Sequence, residues 1–420
     1  VNSDSVSDHR PRAILSAPGS RGDVNPVVAI GRALHARGYE CFVSVAEPYA
    51  DVVRAAGLHA NVVIDSESFH RVASQSEFWK PLTGGRRVLA ELAEKFFHPH
   101  LQFLDDHYIP GCTVLVAHPL DFASRVFRET RPECRLSSIH LAPAMLRHDV
   151  SPPRMLPDRI RYRGVLRPGW RRLNRLTYWL GDHCFLDRVL GRSINQARHQ
   201  RGGLPTQRRL LNEWCRSPDQ LLGLYPSWFA PEIAERYASG NARAAGLQCI
   251  GFPLDDAAEP HSSDELPPDR PLLVTTGTAH PGDTKFVQRV AELCQPAGIN
   301  VVWCCPSNPG GVWRDNIRSV GYVPLGQWLP LCRGIIHHGG IGTTSRAIAA
   351  GVPQMIRPLA FDQFDNAERV QRFGFGQWLR RDRDLPQVLD ILVRSPHFEP
   401  PQRDPESTTA ERAASLIAGL

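Results

Sequence analysis

From Arg12 onwards, short runs of consecutive apolar residues alternate with stretches of helical spacing. AILSA (13–17), YECFVSVA and LHANVVI read as strands buried on both faces, because such strands lack the polar alternation of a half-exposed sheet. Between them lie a helix from Pro26 to Arg37, closed by Gly38, and a second opened by Pro48 and closed by Gly57. Ser66 to Tyr108 turns helical, interrupted and aromatic. TVLVAH, LSSIHLAP, SPDQLLGLYPSWFAP and LQCIGFPLDD return to strand character. A second alternating series starts at PLLVTTGT. It continues through a helix at 283–295, INVVWCC, IRSVGYVP and a helix at 325–332, then GIIHHGGIGTTSR, QMIRP and a helix from Gln363 to Phe373.

Strands that alternate with helices pair in parallel, so the pattern predicts an α/β protein of two doubly wound, Rossmann-like domains. The expected division is 11–254, a linker at 255–270 rich in Pro, Asp, Glu and Ser, 271–398, and a tail at 399–420 whose helix returns to the first domain.

Two loops at strand ends carry candidate chemistry. In the second series a strand meets Gly339, Gly340 and Gly342 and then a helix. Glycines turn tightly there, and the free N–H groups of a helix start attract anions, so a diphosphate fits. His338, Thr343 and Thr344 can add an imidazole N–H and two hydroxyls, and Asp362 and Gln363 open the next helix at the same edge. In the first series, PGSRGDVNP follows the first strand; its Asp23 is read either as a first-turn carboxylate stabilising the helix or as a general base. His118 and His140 fall at strand ends, where ligand contact competes with capping and core roles.

The charge balance of +6 permits anionic partners without calling for nucleic acid. Ten cysteines without a C-x-x-C pair, and a polar N-terminus without an apolar run, lead to the expectation of reduced thiols, no secretory signal and a cytoplasmic location. Seven arginines between 159 and 175 (Arg159, Arg161, Arg163, Arg167, Arg171, Arg172 and Arg175) are interleaved with Trp170 and aliphatic residues. That segment reads either as a solvated face paired with acids elsewhere or as a contact to lipid at an anionic membrane surface.

HGGIGTT, AAGVPQ and DQFDNA stand in the order and spacing of the donor-site signature of inverting nucleotide-sugar glycosyltransferases of the GT-B fold, and GSRGD resembles the loop of their bacterial members. Within that group SPDQLLGLYPSWFAP, GFPL and DQFDNAERVQRFG resemble the bacterial rhamnosyltransferases that glycosylate hydroxyalkanoyl lipids.

The resemblance implies two Rossmann-like domains facing a central cleft, with Asp23 as base. It implies contact with the sugar nucleotide by Ser20, Gly277, Thr278, Val323, His338, Gly339, Gly340, Gly342, Thr343, Asp362 and Gln363. It further implies a dTDP- or UDP-linked hexose (rhamnose or glucose) as co-substrate, no metal or other cofactor, and an amphipathic or lipid hydroxyl acceptor, with a glycolipid product made by a peripheral enzyme at the inner face of the membrane. Where plant-type members carry a glutamate eight residues after the motif histidine, this protein has Arg346, which has hydrogen-bond donors only and tilts the expectation towards a deoxyribose nucleotide. Transfer to a sterol, a macrolide or another secondary metabolite remains as an alternative. So do a nucleotide-sugar epimerase and a binding protein without chemistry.

Overall fold

The computed structural model describes residues 10–73, 84–157, 168–241, 243–254, 269–275, 283–305, 311, 313–402 and 407–420. Two fully parallel sheets form its frame, seven strands in the order β3-β2-β1-β4-β5-β6-β7 and six in the order β10-β9-β8-β11-β12-β13. The first sheet comprises β1 (Arg12–Ala17), β2 (Glu40–Ala46), β3 (His59–Ile64), β4 (Thr113–Ala117), β5 (Arg135–His140), β6 (Gln220–Gly223) and β7 (Leu247–Cys249). The second comprises β8 (Leu272–Thr275), β9 (Val301–Cys304), β10 (Ile317–Val320), β11 (Gly334–His337), β12 (Gln354–Ile356) and β13 (Gly376–Trp378). This is the GT-B architecture, two Rossmann-like lobes facing a cleft.

The apolar runs are continuous because both faces of each sheet are covered. Ala13, Leu15 and Ala17 of β1 and Val114 and Val116 of β4 point into one cluster, shared with the helices Arg21–His35 and Thr409–Ala418. Ile14, Leu115 and Ala117, one residue out of phase, point into the other, against helices Glu94–His107, Phe122–Thr130 and Asp187–Gly202. The second sheet repeats the arrangement, with Leu272 and Val274 on one side and Leu273 on the other.

In each sheet the chain reverses its order of strand addition between two central neighbours, β1 and β4 in the first, β8 and β11 in the second. The crevice beyond the carboxyl ends of those strands is where an open α/β sheet leaves room for a ligand.

The lobes share a core. Leu221, Tyr225 and Phe229 pack with Phe364, Val370 and Trp378 in one cluster. Charge reinforces it: the Arg154 backbone N–H donates to Asp365 Oδ1 (2.8 Å) and its guanidinium to Glu368 (2.7 Å), while Arg369 bridges Asp365 (2.7 Å), Glu232 (2.6 Å) and the Phe229 carbonyl (2.9 Å). Phe361, held at φ +56°, packs against the Ala46, Ile64, Phe69 and Phe96 cluster of the first lobe.

One helix starts a turn earlier than the spacing suggests. It begins at Arg21 and carries Pro26 inside, because Ser20 and Asp23 form a capping box whose stabilisation of the first turn outweighs the one hydrogen bond that Pro26 forfeits.

Candidate active site

A cavity of about 470 Å³ opens where the two switch points face each other, a volume in the range of small-molecule sites. Ser20, Asp23 and His118 come from the first lobe. Val323, His338, Gly340, Gly342, Thr343, Asp362 and Gln363 come from the second. Gly277 and Thr278 lie outside the described residues.

Asp23 sits in the first turn of its helix and does the work of a cap: its Oδ2 accepts from the Ser20 N–H at 2.7 Å. Its Oδ1 lies 3.2 Å from His118 Nε2, and its side chain keeps 27 % of its surface against 6 % for the histidine. The hydrogen bonds fix the tautomer of that imidazole. The Leu120 N–H donates to Nδ1 at 3.2 Å, so Nδ1 is the bare nitrogen and Nε2 carries the hydrogen that points at Asp23. The His118 backbone N–H is tied to Ser16 Oγ (3.0 Å), which anchors the ring at the end of β4. His118 therefore has no lone pair to offer the cavity. Asp23 does.

Across the cavity, the glycines have separate reasons to be glycine. Gly339 has φ +94°, and a Cβ there would stand 2.6 Å from Ile356 Cγ2; at Gly340 it would stand 2.7 Å from His338 Nε2. His337 shapes the same turn from beneath. It is buried, with its pKa lowered to about 3 by desolvation; the Gly339 N–H donates to Nδ1 (3.1 Å) and Nε2 meets Gln354 Oε1 (2.8 Å). With that ring committed to the core, His338 is the histidine on the cavity wall. Thr344 differs from expectation: its helical step turns it away from Thr343, and it is fully buried and off the cavity wall.

Asp362 and Gln363 both reach the wall, in unequal states. Asn366 donates from Nδ2 to Asp362 Oδ2 (2.9 Å) and to the Gly339 carbonyl (2.8 Å), stitching the two loops together. Burial, opposed by the Asn366 hydrogen bond and assisted by the facing charge of Asp23, pushes the Asp362 pKa up to about 7. The Gln363 Oε1 accepts from the Leu359 and Ala360 N–H groups (2.8 and 3.1 Å), so only the NH₂ end of this amide faces outward work.

Arg21, Tyr322 and an apolar wall including Phe69, Val88, Leu92 and Met145 complete the cavity. Phe69, Val88 and Leu92 come from the aromatic segment at 66–108, which the family resemblance implies as an acceptor wall; spacing gave no sign of Tyr322 or Met145, and only the place of Arg21 inside the quoted loop could have flagged it. His140 ends β5 fully buried, its pKa lowered to about 3 by desolvation, and it is not on the wall. Among the described residues no group of three or more His, Cys, Asp or Glu could hold a metal ion.

Arg159, Arg161, Arg163 and Arg167 lie outside the described residues. Trp170, Arg171, Arg172 and Arg175 lie away from the cavity wall on an exposed surface, where Arg171 and Arg175 approach Asp149 at 3.0 and 3.7 Å. No helix among the described residues is long and apolar enough to cross a membrane.

Residues 310–416 match the family model described as erythromycin biosynthesis protein CIII-like, C-terminal domain. Aclacinomycin-T 2-deoxy-L-fucose transferase of Streptomyces galilaeus is 35 % identical over 32 % of this chain and 33 % of its own length. O-mycaminosyltylonolide 6-deoxyallosyltransferase of Streptomyces fradiae is 26 % identical over 86 % of this chain and 84 % of its own. The protein is a GT-B glycosyltransferase related to those of secondary metabolism. Its lobes superpose on the glycosyltransferase SsfS6 of Streptomyces sp. SF2575, complexed with thymidine diphosphate, with TM-score 0.58 at 19 % identity, over 98 % of this glycosyltransferase and 96 % of the other. The relationship is to secondary-metabolite glycosyltransferases and is not specific to the lipid-glycosylating rhamnosyltransferases expected from the middle segment.

Proposed function

We propose that this glycosyltransferase moves a hexosyl group from a dTDP-sugar to a hydroxyl of a largely apolar polyketide-type aglycone, with Asp23 as general base. The observation that carries this reading is the pairing of Asp23 with His118 on one wall of a cavity whose opposite wall is the glycine turn. A base on the acceptor side and an anion cradle on the other are what in-line displacement with inversion requires.

In this reading Asp23 takes the acceptor proton as the oxygen attacks the sugar carbon. His118 holds the carboxylate in register by its Nε2–H. His338, Thr343 and the N–H groups at Gly340 and Gly342 receive the diphosphate, while the Gly339 N–H, given to His337 Nδ1 and off the cavity wall, only shapes the turn; Ser20 approaches from the first lobe, and Val323 lines the base end. Asp362 and the Gln363 amide engage sugar hydroxyls.

Two features favour the donor and acceptor named. Arg346, whose Nη1 donates to the Gly342 carbonyl (3.3 Å), lines the cavity where an acceptor for ribose hydroxyls would otherwise stand, which suits a deoxyribose. The Phe69, Val88, Leu92, Leu120, Met145 and Leu211 wall suits a rigid apolar acceptor, in line with relatives that act on macrolide and polyketide aglycones; this reading replaces the glycolipid product. Incubation with dTDP-sugars and a panel of macrolide and anthracycline aglycones tests it. Release of dTDP that depends on the aglycone, with a glycoside formed, is expected; release without any aglycone, or isomerisation of the sugar nucleotide, would refute it.

A second reading concerns where the acceptor is met. Trp170, Leu176, Trp179, Leu180 and Phe185 are all exposed beside Arg172, so this face suits a lipid surface as well as water. Co-sedimentation with phosphatidylglycerol vesicles that weakens with salt supports that reading, and no binding at low salt ends it.

A further inference from the structure

Arg21 has no role in the transfer described so far, and its surroundings are unusual for a cation. Its guanidinium lies 4.1 Å from the centre of the Tyr322 ring, so a residue at the first switch point is stacked on one from the opposite lobe. Its Nε is shut off from solvent without an acceptor, and among the described residues no carboxylate pairs with it. A half-buried guanidinium ordinarily finds an acid or open water. This one finds the cavity wall it shares with Ser20 and Asp23.

The surroundings favour an anion. Gly22 and Asn25 from the first turns of one helix, and Gly342 and Ser345 from those of the other, line a single pocket of about 40 Å³. Ile341 packs against the core cluster of the first lobe. Two helix starts, each with free N–H groups and the positive end of a dipole, thus meet across the cleft, and the guanidinium stands one residue before Gly22. A diphosphate on the glycine turn would lie between them.

We infer that Arg21 binds the diphosphate from the acceptor-side lobe and supplies the formal positive charge towards which the nucleoside diphosphate departs. The inference rests on the glycine turn being the diphosphate cradle. As the acceptor oxygen bonds to the sugar carbon, the bond from that carbon to the β-phosphate oxygen breaks and its electron pair stays with the phosphate; the acceptor proton goes to Asp23. Base and leaving-group partner are then two residues apart on one helical turn, so any movement of that turn moves both.

The test is calorimetric titration of wild type and Arg21→Gln with dTDP and with thymidine, at low and at moderate salt. Arg21→Gln is expected to bind dTDP roughly ten- to a hundredfold more weakly, to bind thymidine as wild type does, and to show a smaller salt dependence. Unchanged dTDP affinity would overturn the inference. So would an equal loss for dTDP and thymidine, which would reduce Arg21 to a prop for Tyr322. Arg21→Met keeps an unbranched stem on the Tyr322 ring and serves as a second neutral variant should the glutamine protein fail to fold. A wild-type protein that binds neither dTDP nor UDP would sink the donor reading itself, an outcome distinct from normal binding that Arg21→Gln leaves untouched.

Discussion

Replacing Asp362 by asparagine isolates a single proton. The Asp362 carboxyl stands half-buried on the cavity wall, and desolvation there lifts its pKa from 3.8 to about 7, with Asp23 and Asp365 as the nearby like charges. The folded protein then keeps this proton up to about pH 7, whereas the unfolded chain releases it near pH 3.8. Between those values the folded state binds more protons, so the stability from this group is complete below the lower value and is lost as pH rises through the higher one. Three units would correspond to about 4 kcal/mol in a dry site; water in the cavity reduces this to an expected 2 to 4 kcal/mol, order of magnitude.

Asparagine has the same shape and can still accept from Asn366, but it has nothing to titrate. Urea unfolding of both proteins at half-unit steps from about pH 4.5 to 8 measures the difference. The variant should gain on wild type by that amount across the range. Stability differences that stay within about 0.5 kcal/mol of one another would refute the buried-acid reasoning. The same carboxyl should lose its proton when sugar hydroxyls donate to it. Binding of the sugar nucleotide near pH 7 should therefore release a fraction of a proton, visible as a dependence of calorimetric heat on buffer ionisation enthalpy, and bare dTDP should release less.

Asp23→Asn should lower turnover at least a hundredfold with dTDP affinity retained, and His118→Ala should cost about tenfold or more by freeing the carboxylate; a larger loss in the histidine variant would transfer the base role to His118. His338→Ala should weaken dTDP binding roughly tenfold or more in calorimetry, and wild-type affinity would remove it from the cradle. Gly340→Ala, which forces a Cβ to within 2.7 Å of His338 Nε2, should reproduce that loss with little change in thermal stability, whereas Gly339→Ala, strained at φ +94°, should lower the unfolding midpoint as well.

The two parallel sheets were legible because strands buried on both faces are written as unbroken apolar runs, and because glycine, proline and small polar residues punctuate them. The glycine turn and DQFDNA stood out for a similar reason: unlike residues are fixed within a short span. What spacing cannot carry is proximity across the fold. Asp23 and His118 are 95 residues apart and meet only because β1 and β4 are neighbours in the sheet. Arg21 and Tyr322 lie in different lobes. His337 and His338 look alike in sequence, and only the pleat of β11 sends one into the core and leaves the other at the wall. For the arginine-rich stretch the sequence left pairing with distant acids open, but a local run cannot name the partner, and Asp149 stands 22 residues before Arg171.

The seam between the lobes bears on how such enzymes can be recombined. Exchanging halves at the polar stretch after Leu254 looks simple in sequence, because one sheet lies before it and the other after it. Such a cut would part Arg154, Phe229 and Glu232 from Asp365, Glu368 and Arg369, groups that now satisfy one another across the seam. A hybrid that inherits one side without the other strands buried charge, at a cost of several kcal/mol, enough to unfold many proteins. Hybrids of this enzyme should therefore be built as halves that carry matched seam residues, with Phe361 and the pocket it enters treated as one inherited unit.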